Sequence, residues 1–426
     1  MDDEPDADRL GLLARMRAHL MDFTPLRQSR DFRLLFLGKA VSDLGDVVVD
    51  VVVPFQVFHI THSTLAVGML GLCQLLPVFA FPILGGAVAD ALERRRLTIV
   101  THSLLASMSV LMALNASLSH PRLWPLYVFS TLSAAMWTFN EPAISTWPAR
   151  LLPAELLPSS NALGSGFHTL AHVGAPLVAS GLLVTVGTSG AFVFDVASFL
   201  VVIAAVWRMQ PSPPSDEEAT VSWAAIVEGF RFLKGKRTIQ SVFAIDLNAM
   251  IFGFPMALFP AIAAKLSHGS GAGALGMLYS AIAVGAFLAT AFSGKAKHVR
   301  WQGRAIMIAV VVWGGSIVVF GLSHVLWLSV LMLAIAGGGD MVSGIFRQTI
   351  LQTAVEDRLR GRLDGIGMAV WASGPAVGDV ESGVVAYFTS VPFAVVSGGL
   401  LCIAGVGILR LLAPGFAHYD ASAPAP

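Results

Sequence analysis

The chain has 426 residues, 55% hydrophobic and only 13% charged, and its mean hydropathy is +0.73; a water-soluble domain of this size could not bury so much apolar surface. Lysine plus arginine and aspartate plus glutamate both total 27, so the charge balance gives no footing for a nucleic-acid partner. Cys73 and Cys402 lie far apart inside apolar runs, which argues against a disulfide framework or a paired-cysteine metal site.

The chain opens Met1-Asp2-Asp3-Glu4, without a basic stretch leading into an apolar one, so no cleaved signal peptide is expected and the first apolar helix stays in place. After a segment over 1–32, runs of the length that spans a bilayer fall at 33–59, 65–90, 97–118, 123–146, 160–185 and 189–208. Six more fall at 239–264, 270–294, 304–322, 325–347, 364–388 and 391–412. The expected fold class is therefore an all-α polytopic membrane protein with twelve transmembrane helices in two six-helix halves, 33–208 and 239–412. Between them, 209–238 begins with the polar, helix-breaking Pro211-Ser212-Pro213-Pro214-Ser215-Asp216-Glu217-Glu218 and reads as a linker, its second half (221–236) as an interfacial amphipathic helix. A tail follows over 413–426. Basic residues accumulate in alternate loops: Lys39 lies within a span, and only Arg122 and Lys265 fall in the loops on the other side. That pattern puts both termini in the cytoplasm.

The first span carries Lys39, Asp43, Asp46 and Asp50. Offsets of 0, 4, 7 and 11 place all four within roughly a 60° arc of a helix, and a rise of about 1.5 Å per residue from Arg33 puts Asp43 and Asp46 roughly 15 to 20 Å deep. A carboxylate there costs about 2.5 to 3.5 kcal/mol on insertion scales, so it needs protein or water beside it and a function to retain it. Gaining and losing protons is one such function. A structural Lys39–Asp43 pair and a solvated Asp50 in an outer vestibule are the plainer alternatives. Other polar groups inside the spans are Glu141, His168, His172, Asp195, Asp246, Asn248, Asp340, Asp379 and Glu381. His168 and His172, one turn apart, suit a structural hydrogen-bonded pair or, with Asp43, Asp46 and Asp50, a metal or shared-proton site. Asp340 shares a helix with Arg347, which leaves a charge pair and a cargo contact both open. Asp379 and Glu381 point to opposite helix faces, so at most one lines a central cavity.

The halves also read as diverged copies. Gly85 to Arg96 (GGAVADALERRR) is echoed by Ser293 to Arg304 (SGKAKHVRWQGR), and Gly174-Ala175-Pro176 by Gly374-Pro375. Both echoes stand about 200 residues apart, as in parallel repeats.

The run Gly86-x-x-x-Asp90-x-x-x-Arg94-Arg95 resembles the signature of the major facilitator superfamily between its second and third helices. There the glycine permits close packing and the charges form a cytoplasmic gating network. Here Ala91 and Glu93 stand where a basic residue and a glycine are usual. Asp31-Phe32-Arg33-Leu34-Leu35, Thr61-His62-Ser63-Thr64, Glu228-Gly229-Phe230-Arg231-Phe232-Leu233 and Leu351-Gln352-Thr353 followed by Gly361-Arg362 are similar to the branch that holds the enterobactin exporter and related macrolide and multidrug efflux proteins. The resemblance implies the two-bundle major facilitator fold, a monomer in the inner membrane and export. The helix-five antiporter motif of that superfamily is matched in part by Ala175, Pro176, Ala179 and Ser180, which leans toward antiport.

No phosphate-binding GxxxxGK[ST], GxSxG or HExxH run occurs, so an enzyme is not expected, nor a cofactor. The leading expectation is a proton-driven exporter of a small amphipathic molecule, of the drug or siderophore class, with that molecule, protons and lipid as its partners. A divalent-cation exporter and a non-transporting receptor or assembly subunit are the rival readings.

Overall fold

The computed structural model describes residues 22–80, 92–211, 233, 235–267, 271–291, 294, 299–354 and 357–420. Among these residues the twelve expected helices are present. The first half comprises α1 (Arg30–Thr61), α2 (Thr64–Ala80), α3 (Arg94–Ala116), α4 (Trp124–Ser145), α5 (Leu157–Thr185) and α6 (Gly187–Trp207). The second comprises α7 (Arg237–Phe252, continued by Phe259–Leu266), α8 (Ala272–Ala291), α9 (Gln302–Leu322), α10 (Leu326–Ala354), α11 (Asp357–Phe388) and α12 (Val391–Leu412). Nine of them, α7 taken with its continuation, are long and apolar enough to cross a membrane by composition. The other three are α2, α4 and α11, of which α4 carries Asn140 and Glu141 and α11 carries Asp379 and Glu381. Helices are the form open to such a sequence, because lipid offers no partner for an unpaired backbone amide.

Local sequence sets the ends. Ser29 accepts the amide of Phe32 at 3.2 Å to start α1, and Ser390 accepts that of Phe393 at 3.3 Å to start α12. Gly187, at φ +70°, lets the chain pass from α5 into α6 without a loop. Asp22 ties the chain before α1 to α5: it accepts from the Thr24 hydroxyl and amide and from Ser159 Oγ at 2.8 Å. These hydrogen bonds, those of Thr24 first, hold its carboxyl below the ordinary carboxylate range. At the other end, Pro414–His418 folds back on α9, where Gln302 donates to Tyr419 O at 3.0 Å and Arg300 pairs with Asp420 at 3.0 Å. Helix α10 outruns its apolar stretch, reaching Ala354 rather than 347, because continuing the helix keeps its backbone paired.

Packing follows the repeat. The pairs α1·α5, α1·α6, α2·α4, α3·α4 and α3·α6 recur as α7·α11, α7·α12, α8·α10, α9·α10 and α9·α12. The halves join along two equivalent seams, α2·α11 and α5·α8. Small residues make both possible: a Cβ added at Gly68 would lie 2.6 Å from Asp379 O, and one at Gly276 2.5 Å from Pro176 O. Among the described residues three hydrogen bonds cross between halves. Thr64 donates to Gly383 O at 3.3 Å, Ser280 to Val173 O at 2.8 Å, and Ser180 to Ala272 O. All belong to the part of the bundle between its middle and the α1–α2, α5–α6 and α11–α12 connections. At the opposite end the first turns of α5, 158–170, are largely exposed. The bundle is thus fastened at one end, and its interior opens toward the other, the end that holds Asp22 and Asp420.

Candidate functional site

The charged stripe of α1 lines that interior. Lys39 Nζ donates to Asp43 Oδ1 at 3.1 Å and lies 3.7 Å from Glu141 Oε2 on α4, with the three side chains 38%, 19% and 27% exposed. Asp46 and Asp50, further along, are exposed, whereas Val47 to Val49 and Val51 to Val53 around them are buried. The aspartates therefore look onto a space and the valines onto neighbouring helices. Tyr279 of α8 lies within electrostatic range of both Asp50 and Asp379, so the stripe runs up to the second half.

Behind the stripe sits Asp195 of α6, fully buried. Ser109 of α3 donates to its Oδ2 at 2.5 Å. Gly45 brings α6 close to α1, since a Cβ there would stand 2.8 Å from Asp195 Oδ1; Asp195 in turn is an electrostatic neighbour of Asp46. His102 of α3, also buried, donates through Nδ1 to Thr98 O at 2.8 Å.

In the second half Arg347 of α10 reaches two carboxylates. Its Nη1 is 2.5 Å from Asp246 Oδ1 of α7 and its Nη2 3.6 Å from Asp340 Oδ1. The Asp340–Arg347 pairing open in the sequence is thus present, with Asp246 as a further member. Asp379 of α11 is engaged elsewhere. Helix α7 breaks over Gly253-Phe254-Pro255, where proline has no amide to donate, and Asp379 Oδ1 accepts the freed amide of Ala257 at 2.8 Å. Trp313 Nε1 holds the other side of the break by donating to Gly253 O at 2.9 Å. Glu381 is half-buried on α11, and Asn248 donates to Cys402 O at 2.9 Å.

His168 and His172 meet each other, Nε2 to Nε2 at 3.2 Å, so one ring donates its proton to the other. Among the described residues no three histidine, cysteine, aspartate or glutamate side chains gather as a metal site. Ala175, Pro176, Ala179 and Ser180 are buried in the α5·α8 seam. Of the signature before α3, Gly86 and Asp90 lie outside the described residues. Arg94 and Arg95 begin α3, and Arg95 Nη2 donates to Trp207 O at 2.7 Å, tying that helix to the end of α6. Ser109, Ala257 and Tyr279 were not singled out from the sequence: each acts across helices that no local pattern connects.

The family model described as a transmembrane secretion effector matches residues 21–424. The enterobactin exporters EntS of Citrobacter koseri and Shigella flexneri are each 26% identical to the chain over 394 residues, covering 92% of it and 94% of the relative. Among solved structures, the nucleoside transporter NupG superposes with a TM-score of 0.70 at 15% identity, over 91% of this chain and 98% of that one. A POT family transporter in complex with 5-aminolevulinic acid gives 0.71 at 13% identity, over 91% and 97%. A bacterial homologue of the human lysosomal transporter Spinster gives 0.67 at 16% identity, over 92% and 96%. Twelve helices in two repeated bundles and a family match over nearly the whole length lead to one assignment: the chain is a multi-pass membrane transporter rather than an enzyme, and belongs to the transmembrane secretion effector family of the major facilitator superfamily.

Proposed function

We propose that this transporter exports a small amphipathic molecule of the drug or siderophore class across the cytoplasmic membrane, driven by proton antiport with alternating access. The observation that carries the reading is Asp46: a carboxylate deep in a spanning helix, exposed to the interior space while its neighbours along the helix are buried. An acid in that position can hold a proton when the interior opens outward and release it when cargo enters from inside. The relatives named as enterobactin exporters support the direction of transport. Both termini sit in the cytoplasm, so the fastened end is the outer one and the interior opens inward. The segment 209–238 links the two bundles on the cytoplasmic side, and the unit of transport is the monomer. Asp43, Lys39, Asp50 and Asp340 tune the field around Asp46, Asp379 holds the α7 break, and Arg94 and Arg95 belong to the cytoplasmic gate. Efflux of dyes, antibiotics and a catecholate siderophore from cells overexpressing the protein tests this. Export of a panel member that stops with a protonophore is expected; export that continues undiminished refutes the proton coupling.

A further inference from the structure

The second half repeats the charged run before α3 with one carboxylate missing. In the echoed stretches Gly85 to Arg96 and Ser293 to Arg304, Trp301 stands where Glu93 does and Arg304 where Arg96 does. Arg96 Nε pairs with Glu93 Oε2 at 2.9 Å. Arg304 has the indole of Trp301 in that place, its guanidinium carbon 5.9 Å from the ring centroid. A ring attracts the cation without neutralising it. Among the described residues the ion pair of Arg96 thus has no counterpart at Arg304. His418 packs edge-on to the same indole at 5.7 Å between centroids, which holds Trp301 in position.

Arg304 opens onto a groove of about 400 Å³, lined by Val299, Arg300, Trp301, Arg304, Ala305 and Ile308. None of these is acidic. Arg300 brings a second guanidinium, 79% exposed, which gives its Nε to Asp420 and keeps further N–H donors on its fork. The groove sits at the first turn of α9, a spanning helix, and so at the level of the lipid headgroups, where tryptophan is also favoured. From Arg304 an apolar strip runs along one face of α9 toward the middle of the membrane. Ile308, Val312 and Val319 on that face are exposed, whereas Ile306, Val310, Trp313 and Ile317 are buried. A cation at headgroup depth, continued by an exposed apolar strip, matches a phosphate continued by an acyl chain.

We infer that this groove binds an anionic phospholipid, its phosphate taken by Arg304 and Arg300 beside the Trp301 ring and an acyl chain lying along Ile308, Val312 and Val319. A phosphate diester offers the paired oxygens that guanidinium forks match. A headgroup without an ammonium brings no cation to be repelled by the two arginines. The full chain in detergent is mixed with equal amounts of phosphatidylglycerol and phosphatidylcholine of the same chains, and retained lipid is read by native mass spectrometry. The phosphatidylglycerol adduct predominates, and Arg304→Ala lowers it about fivefold, the effect of one basic residue at a membrane surface. Arg208→Ala, which removes another exposed arginine beside a tryptophan at the end of α6, leaves the adduct unchanged. Glycerophosphoglycerol, the same headgroup without chains, does not displace the lipid. Equal retention of the two lipids, an undiminished adduct in Arg304→Ala, or an equal loss in Arg208→Ala overturns the assignment. Displacement by glycerophosphoglycerol also overturns it, since the site then takes a soluble phosphate. Where Arg304→Ala fails to fold, the two lipids on the unmodified protein still decide.

Discussion

Replacing Arg347 with leucine removes the one cation shared by Asp246 and Asp340. Its Nη1 lies 2.5 Å from Asp246 and its Nη2 3.6 Å from Asp340, with the three side chains 11%, 16% and 31% exposed. Breaking a buried ion pair from one side costs about 3 to 5 kcal/mol, mostly because the abandoned charge stays buried. Chains unfolded within a micelle also find polar partners, which lowers the difference, and Asp340 is partly open to solvent. The expected loss is about 2 to 4 kcal/mol. It is read from unfolding titrations with sodium dodecyl sulfate in mixed micelles, followed by tryptophan fluorescence. If the orphaned carboxylate is the cause, Arg347→Leu with Asp246→Asn recovers more than half of the loss. A single variant within about 0.5 kcal/mol of the parent, or a double variant no better than the single, refutes the reasoning.

Asp46→Asn keeps the fold but cannot carry a proton, so gradient-driven efflux in vesicles falls to background; full efflux by that variant sinks the role given to Asp46. In Gly276→Ala the new methyl would sit 2.5 Å from Pro176 O and 2.6 Å from Ser180 Cβ, and such overpacking costs about 1 to 3 kcal/mol in the fastened state alone. Spin labels at Val186 and Gly273 then show a population with a longer separation in pulsed electron resonance, and an unchanged distance distribution counts against the seam as described. Asp379→Ala leaves the Ala257 amide without its acceptor, a loss comparable to that of a helix cap, about 0.5 to 2 kcal/mol. Hydrogen exchange at the α7 break should quicken by a factor of about 2 to 30, and Asp379→Asn, which still offers an oxygen, should restore most of the protection; equal effects of alanine and asparagine would show that the hydrogen bond is not what matters.

The spans were legible because nine of the twelve are apolar runs of bilayer length, while α2 is a shorter apolar run and α4 and α11 are apolar runs interrupted by polar residues, a signal that needs no knowledge of neighbours. The α1 stripe was legible for a similar reason: Lys39, Asp43, Asp46 and Asp50 recur at the helical period. The partners were harder to read. Nothing local connects Lys39 to Glu141 or Arg347 to Asp246, since those contacts depend on which helices the bundle sets side by side. The Lys39–Glu141 and Asp246–Arg347 pairs stand about 200 positions apart, as the repeat does, but their exchanged signs hide the relation from a search for like residues. The α7 break had a local signal, Gly253-Phe254-Pro255, lost inside a long apolar run. The acceptor that stabilises the break, Asp379, lies 122 positions away from Ala257.

The three hydrogen bonds across the seams share a property that bears on speed. In each the acceptor is a backbone carbonyl, Gly383, Ala272 or Val173, and the donor is a serine or threonine hydroxyl. Ser180 and Ser280 lie well within α5 and α8, where a hydroxyl can turn back to the carbonyl one turn earlier on its own helix. When the halves separate, these two donors need not be stranded in lipid or wait for water. In the alternating-access cycle proposed above, the fastening can come undone and close again by side-chain rotation, a motion of picoseconds to nanoseconds, which puts the slow step of that proposed cycle in moving the bundles rather than in releasing the clasp.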